Sequence, residues 1–195
     1  VGRLVSQKLS EVLGSPVAVE NRPGAGGNIG TQFAAKAPKD GYTLLMTISS
    51  SQAINPALYK NPGFDPVKDF KPVALIGAVP NVLLAHPSFS GKTVQDLIAA
   101  AKTKPGQLPY ASAGNGTAPH FAAELYKLNM KASWMHVPYK GSAPAVNDTV
   151  AGHTHIMFPS LFTALPHVKS GKLHPVGIAG SRRSPALPGV PTLKE

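Results

Sequence analysis

YASAGNGTAPHFAAE, at residues 110–124, is the stretch on which the prediction of the fold depends. It predicts a short strand, a turn of small residues and a helix that begins at Thr117, a favoured N-cap residue, with Pro119 in its first turn. The first turn of a helix leaves backbone N–H groups without carbonyl partners, and glycines before it let a ligand come close. Residues 112–117 are therefore a candidate anion-binding loop, although an ordinary strand-to-helix turn uses the same residue types.

The candidate ligand contacts in this loop are hydroxyl and backbone N–H groups of Ser112, Gly114, Asn115, Gly116 and Thr117. His120 follows in the first helical turn, where it is either a ligand contact or a histidine on the helix surface. Further along, helical spacing predicts a buried face formed by Phe121, Ala122, Leu125 and Leu128.

Two glycine patterns that would indicate a nucleotide cofactor fail. Gly114 and Gly116 are followed neither by the third glycine of a dinucleotide fingerprint nor by Gly-Lys-Ser/Thr. In NRPGAGGNIG, at residues 21–30, the third glycine should stand where Ile29 is found. We therefore predict no cofactor, and we expect residues 21–30 to be a structural turn.

The composition favours a globular protein that binds anions. The 195 residues are 43% hydrophobic and carry a formal net charge of +10, so nucleic acid has to be considered as a partner. Lysine and arginine are spread singly, without a basic run interleaved with aromatic residues, so small anions fit better and no nucleic-acid partner is predicted. The lack of cysteine excludes thiolate metal sites, and no metal site or membrane insertion is predicted.

Apolar runs of strand length alternate with helical patterns along the chain. The predicted strands lie at residues 17–19, 43–49, 73–79, 82–85, 135–137, 154–158 and 176–179. This alternation predicts an α/β fold in which each of two lobes is a mainly parallel sheet flanked by helices. We expect residues 80–176 to form one lobe and residues 1–79 with 177–195 to form the other.

A second candidate wall of a ligand site follows the predicted strand at residues 43–49. Ligands of open α/β sheets lie at the carboxyl ends of strands, so Ser51, Ala53 and Asn55 are candidates, although caps and turns use the same polar residues. Further candidates for lining a pocket are Tyr139, Phe158 and Ser160. Aromatic residues at strand ends also serve as core residues.

Both ends of the sequence suggest a piece of a longer protein. Residues 1–9 have the pattern of the middle of an amphipathic helix without a preceding cap, and another helix is expected to begin near residues 192–195.

Eight motifs together resemble the Bug family of periplasmic solute receptors, also described as TctC-like substrate-binding proteins of tripartite tricarboxylate transporters. They are ENRPGAGG (20–27), DGYTL (40–44), NPALY (55–59), DPVKDF (65–70), SAGNGT (112–117) with His120, VPYKG (137–141), SGKL (170–173) and RSPALP (183–188). Their order and spacing, which run essentially from end to end, carry the resemblance.

The resemblance implies a two-lobed Venus-flytrap receptor of the type II class in the periplasm of a Gram-negative bacterium. Such a receptor is a monomer without catalytic activity, closes on a small carboxylate and delivers it to membrane permease subunits. The implied ligand is a di- or tricarboxylate, an acidic amino acid or an aromatic acid. Residues 112–117 would hold one carboxylate, and residues 51–55 would contribute from the opposite lobe. The family usually has Asp at the position of His155 and a polar residue at that of Pro159, which affects ligand preference.

Two other classes of protein are alternatives. An enzyme acting on a small carboxylate in the same cleft would need an acid, a base or a nucleophile there, and His120 is the candidate. A nucleic-acid binder is suggested by net charge alone, and steeply salt-dependent binding of DNA would distinguish it.

Overall fold

The computed structural model describes residues 1–89 and 91–195. Its helices are α1 (Gly2–Leu13), α2 (Asn28–Ala35), α3 (Asn55–Leu58), α4 (Val94–Thr103), α5 (Ala118–Met130), α6 (Ser142–Val150) and α7 (Leu161–Lys169). Its strands are β1 (Asn81–Ala85), β2 (Leu108–Ser112), β3 (Trp134–Pro138), β4 (Ile156–Met157) and β5 (His174–Ala179). A 3-10 turn (Ala25–Gly27) precedes α2, and a π-helical turn (Ser50–Ile54) precedes α3. Within the described ranges, no helix combines the length and apolar character needed to cross a bilayer.

The five strands form one mixed sheet in the order β3-β2-β4-β1-β5. β2 pairs in parallel with β3 and β4, whereas β1 pairs antiparallel with β4 and β5. Four strands therefore run in one direction, and β1 runs against them. The predicted α/β class is confirmed, but the sheet is less parallel than expected because β1 lies between β4 and β5.

Each face of this sheet is covered by two helices. Leu83, Tyr110 and Trp134 pack on one face against Leu97 of α4 and Ala123 of α5. The opposite face packs Val82, Leu84 and Ala111 against residues of α6 and α7. Because both faces are buried, the strands are nearly continuous in apolar residues, as β1 shows.

Three predicted strands, at residues 17–19, 43–49 and 73–79, are not strands in the structure. Their apolar side chains are largely in solvent, with Val73 84% and Leu75 90% exposed. A strand needs a neighbour to pair with, and no segment among the described residues pairs with these three. The expectation of a sheet in each lobe is therefore wrong for residues 1–79.

The carboxyl-terminal segment packs on the sheet. The Ile178 N–H donates to the Pro191 carbonyl at 2.8 Å, and the Leu193 N–H donates to the Ile178 carbonyl at 2.9 Å. Leu187 and Val190 join the core on one face. Residues 177–195, which the sequence assigns to the lobe of residues 1–79, thus contact the sheet formed by residues 81–179.

Helix α5 buries a different face from the predicted one. Ala123 and Tyr126 are buried, whereas Phe121, Leu125 and Leu128 are about half exposed or more. The small side chain of Ala123 lets the helix approach the sheet, and Tyr126 stacks on Trp134 with ring centroids 6.0 Å apart. Helical spacing identified an apolar stripe, but the aromatic residues of the sheet select the other face.

Candidate functional site

The ligand loop, defined as residues 112–117, joins the carboxyl end of β2 to the first turn of α5. Ser112 is 1% exposed and Thr117 is 5% exposed. Gly114 and Gly116 have φ angles of +119° and +77°, which side chains with a Cβ rarely adopt. The predicted strand, glycine turn and helix are confirmed, with Thr117 at the N-cap position.

Three backbone amides of the ligand loop are bonded within the protein. The Gly114 N–H donates to Ser112 Oγ at 3.1 Å, the Gly116 N–H donates to His120 Nδ1 at 3.2 Å, and the Thr117 N–H donates to the Gly114 carbonyl at 3.3 Å. The expectation that these donors are unpaired is therefore wrong for this conformation. The side chains of Ser112 and His120 and the Gly114 carbonyl satisfy them locally.

Thr117 stabilises the loop from inside. Its hydroxyl donates to the Gly114 carbonyl at 2.6 Å and makes no side-chain cap to the helix. In this conformation the hydrogen of that hydroxyl is not available to a ligand carboxylate. The role of Thr117 seen here is to fix the turn that presents the neighbouring amides.

The donors left at the start of α5 are fewer than predicted but well placed. Among residues 1–89 and 91–195, the backbone N–H groups of Asn115, Ala118 and His120 have no hydrogen-bond partner. They lie at the helix N-terminus, where the helix dipole favours a negative charge. A carboxylate-binding site at this loop would therefore depend on these amides rather than on those of the two glycines.

We expect Thr117→Val to lower the free energy of unfolding by about 1–3 kcal/mol, because the buried Gly114 carbonyl loses its hydroxyl donor. Urea unfolding measures the change. Thr103→Val is a matched control, since the Thr103 hydroxyl also donates to a backbone carbonyl, at 2.9 Å, but lies on an exposed helix. The control should stay within about 0.5 kcal/mol. Equal losses in the two variants would contradict the assigned role.

A cluster of aromatic rings supports the loop from β2, β3 and α5. The ring of His136 lies between Tyr110, at 4.7 Å, and His120, at 4.4 Å between ring centroids. His136 Nε2 lies 2.6 Å from Ser112 Oγ. The Tyr110 hydroxyl donates to Glu124 of α5. The ligand loop therefore rests on a connected set of side chains.

Both histidines of this cluster are kept neutral. Burial, together with the neighbouring His120, lowers the pKa of His136 to about 4. Burial also lowers the pKa of His120, although the nearby negative charge of Glu124 raises it. Burial alone would raise the pKa of Glu124, but hydrogen bonds from Lys127 and Tyr110 bring it below its usual value. The negative charge of Glu124 is thus paired with the positive charge of Lys127.

The second wall is built on the glycine turn near residue 26. Asn55 Nδ2 donates to the Gly26 carbonyl at 3.1 Å and to Asn28 Oδ1 at 2.6 Å, and Ser51 Oγ donates to the Gly26 carbonyl at 3.3 Å. Ser51 and Asn55 are buried, whereas Ala53 is exposed. In this conformation the donors of Ser51 and Asn55 hold the glycine turn.

The two walls touch. The Tyr59 hydroxyl donates to the Asn115 carbonyl at 3.0 Å. A Cβ placed on Gly26 would lie 2.6 Å from the same carbonyl oxygen, and one placed on Gly116 would collide with Asn55 Oδ1. That oxygen is buried and has no hydrogen-bond partner among the described residues. The structure therefore brings the predicted walls together through glycines that allow close contact.

The remaining candidates, Tyr139 and Ser160, make hydrogen bonds within the protein. The Tyr139 N–H donates to the Ser112 carbonyl at 3.1 Å, so its backbone borders the loop, while its hydroxyl donates to Asp148 at 2.7 Å. Ser160 is the N-cap of α7, and its Oγ accepts the Thr163 N–H.

Phe158, a candidate for lining a pocket, lies in the core in this conformation. It is 0% exposed and packs 6.2 Å from Tyr126 and 6.3 Å from Trp134 between ring centroids. It follows β4, which lies in the middle of the sheet, so its ring points into a core that is already closed.

No group of three or more metal-ligating side chains exists among the described residues.

Three residues of the site were missed by sequence reasoning. Tyr59 stands four residues after Asn55, on the same side of a helical turn. His136 pairs with Tyr110 in the parallel ladder of β2 and β3, which places it on the same face as Ser112. Gly26 was interpreted as a structural turn, which the contacts confirm, but its approach to Asn115 depends on pairing between distant segments.

Three solved structures are similar to this chain over nearly its whole length. Rpa4515 of R. palustris with adipate matches at a TM-score of 0.95 and 35% identity, over 98% of this chain and 64% of that chain. MatC from Rhodopseudomonas palustris with bound malate matches at 0.93 and 32%, over 98% and 65%. Periplasmic binding protein BugD matches at 0.94 and 32%, over 99% and 64%. The fold is that of a periplasmic solute-binding protein.

The whole sequence, residues 1–195, matches the family described as tripartite tricarboxylate transporter family receptor. Protein BugT of Bordetella pertussis is 38% identical over 196 residues, which cover all of this chain and 60% of the relative. The chain belongs to this family, and the resemblance to Bug and TctC proteins is confirmed. It spans about 60% of the length of the curated relatives it matches.

Proposed function

We propose that the protein is a periplasmic receptor that binds a small carboxylate and delivers it to membrane permease subunits of a tripartite tricarboxylate-type transporter. The observation that carries this proposal is the likeness, at TM-scores of 0.95 and 0.93, to structures described with adipate and with malate. Both ligands are dicarboxylates. Membership in a family of transporter receptors supports the membrane partner.

The site proposed for the carboxylate is the start of α5. The backbone N–H groups of Asn115, Ala118 and His120 lie at the start of α5, where the positive end of the helix dipole attracts a carboxylate. On the other wall, Ser51 and Asn55 hold the glycine turn that contacts this loop. Backbone amides at a helix N-terminus hold a carboxylate without a buried arginine, and the net charge of +10 attracts anions to the protein.

Closure is the proposed signal for the permease. Residues 1–79 carry Gly26, Asn55 and Tyr59, and residues 80–176 carry the ligand loop, so the contacts between them favour a closed form. A carboxylate that contacts both sides stabilises this form by binding it better than the open form. A monomer that does not enter the membrane is sufficient for this mechanism.

We expect adipate and malate to raise the melting temperature of the purified protein. At a ligand concentration 100 times the dissociation constant, binding adds about 2.7 kcal/mol to the free energy of unfolding. For a protein of this size that corresponds to a rise of about 5–10 °C. A thermal-shift screen with di- and tricarboxylates, acidic amino acids and aromatic acids measures it.

Adipamide is the matched control ligand, because it has the length of adipate without its charges, and it should cause no rise. If no acid in the screen changes the melting temperature, the receptor proposal is wrong. A rise with adipamide equal to that with adipate would contradict recognition of the carboxylate.

An enzyme using this cleft is not supported by the geometry. Ser112 and His136 are close enough for a nucleophile and its base, at 2.6 Å, but the pKa of His136 near 4 makes it a weak base at neutral pH. Ser112 is also 1% exposed. Turnover of adipate or malate by the purified protein would reverse this conclusion.

A further inference from the structure

One side chain outside the ligand loop, that of His136, contacts both Ser112 of the loop and His120 of α5. His136 lies on β3, and its partner in the parallel ladder is Tyr110 on β2. Since alternate residues of a strand share a face, His136 lies on the face of the sheet that carries both Tyr110 and Ser112. From there its ring reaches Ser112 of the ligand loop.

The contact with Ser112 ties His136 to the first glycine amide. Ser112 Oγ accepts the Gly114 N–H at 3.1 Å, so its own hydrogen is free to be donated. The only acceptor it meets at bonding distance among the described residues is His136 Nε2, at 2.6 Å. A neutral His136 with Nε2 unprotonated therefore fixes the Ser112 rotamer, and Ser112 fixes Gly114.

The stack with His120 ties His136 to the second glycine amide. His120 Nδ1 accepts the Gly116 N–H at 3.2 Å, which requires an unprotonated Nδ1. The rings of His120 and His136 are 4.4 Å apart with an interplanar angle of 25°. The plane of His136 thus sets the plane of His120 and the direction in which Gly116 is held.

We infer that His136 is a positioning residue for carboxylate binding, because it holds Ser112 and His120, and through them the Gly114 and Gly116 amides, in the geometry of the ligand loop. This inference rests on the proposed function for its effect on affinity. Its effect on the loop itself does not depend on a ligand.

The groups that face His136 favour its neutral form. Tyr110 of β2 stacks on one side, and His120, Glu124 and Lys127 approach from α5. Burial and the nearby His120 lower the pKa of His136, Glu124 raises it, and Lys127 lowers it. The acceptor at Nε2 is therefore present throughout the neutral pH range.

Two substitutions distinguish the contribution of the His136 ring from that of its Nε2 acceptor. His136→Phe keeps a flat ring between Tyr110 and His120 but removes Nε2, whereas His136→Gln places an amide oxygen near the position of Nε2. We expect His136→Phe to weaken adipate binding about tenfold, as for loss of one buried hydrogen bond, and His136→Gln to restore most of it. His153→Phe, at a histidine whose side chain is 70% exposed, is the control and should bind like the parent.

Isothermal titration with adipate gives the affinities, and amide NMR signals of Gly114 and Gly116 report the loop without ligand. His136→Phe should shift both signals, and His136→Gln should bring them back. Unshifted signals, or His136→Gln no better than His136→Phe, would overturn the inference. If the parent binds no acid, the proposed function fails, and shifted glycine signals still establish that His136 positions the loop.

Discussion

Phe158→Ala is expected to lower the free energy of unfolding by about 3–5 kcal/mol. Phe158 is 0% exposed, and its ring packs against Tyr126 of α5 and Trp134 of β3. Removing it leaves a cavity where α5 meets the sheet, and the rigid aromatic neighbours cannot collapse fully into the space. Chemical unfolding in urea measures the loss.

The exposed Phe162 supplies the control. It is 64% exposed, so Phe162→Ala should change the free energy of unfolding by no more than about 0.5 kcal/mol. Folded Phe158→Ala should bind adipate nearly as well as the parent, because the Phe158 side chain is 0% exposed and its ring packs against Tyr126 and Trp134. A large loss of affinity at unchanged stability would restore Phe158 as a ligand contact.

Several helices begin or end at local signals that can be recognised in the sequence. Thr117 precedes α5, and Thr93 forms a capping box with Asp96 at the start of α4. Gly14 ends α1 in the left-handed conformation, with φ +65°. Each signal needs only a few adjacent residues, so it can be recognised without knowledge of the tertiary structure.

The errors concern contacts between distant residues. The apolar runs at 43–49 and 73–79 have strand composition, but a strand forms only if another segment pairs with it. Phe121 and Leu125 fit a buried helical face, yet the face that packs is chosen by Trp134 on a neighbouring strand. Local periodicity cannot identify the partner of an element, so it cannot fix which residues are buried.

The proximity of the two candidate walls was predicted from the sequence, but their hydrogen bonds were not. The ligand loop and residues 51–55 lie together, as two strand ends suggested. That the glycine amides are bonded to Ser112 and His120 could not be predicted, because it depends on side-chain rotamers that the cluster around His136 selects. The family resemblance supplied the class of protein and left this arrangement open.

Gly116→Ala is expected to weaken adipate binding about 100-fold, which corresponds to about 2.7 kcal/mol. The Cβ of alanine would collide with Asn55 Oδ1 and would lie 3.0 Å from Leu58 Cδ2 and 3.1 Å from Tyr59 Cε2. All three belong to the wall that closes on the ligand loop. Because the Asn55 side chain is buried and held by two hydrogen bonds, the walls must separate to accommodate the methyl group, and the two walls no longer reach one ligand.

Backbone strain has to be separated from this collision, since Gly116 also has φ +77°. Gly171→Ala provides the comparison: Gly171 has φ +69°, and nothing lies within 4 Å of the added Cβ. Both variants should lose about 1–2 kcal/mol of stability from the left-handed backbone, whereas only Gly116→Ala should lose affinity. Isothermal titration with adipate and urea unfolding on both variants distinguish the two effects. Equal affinities would show that the walls need not touch for the ligand to bind.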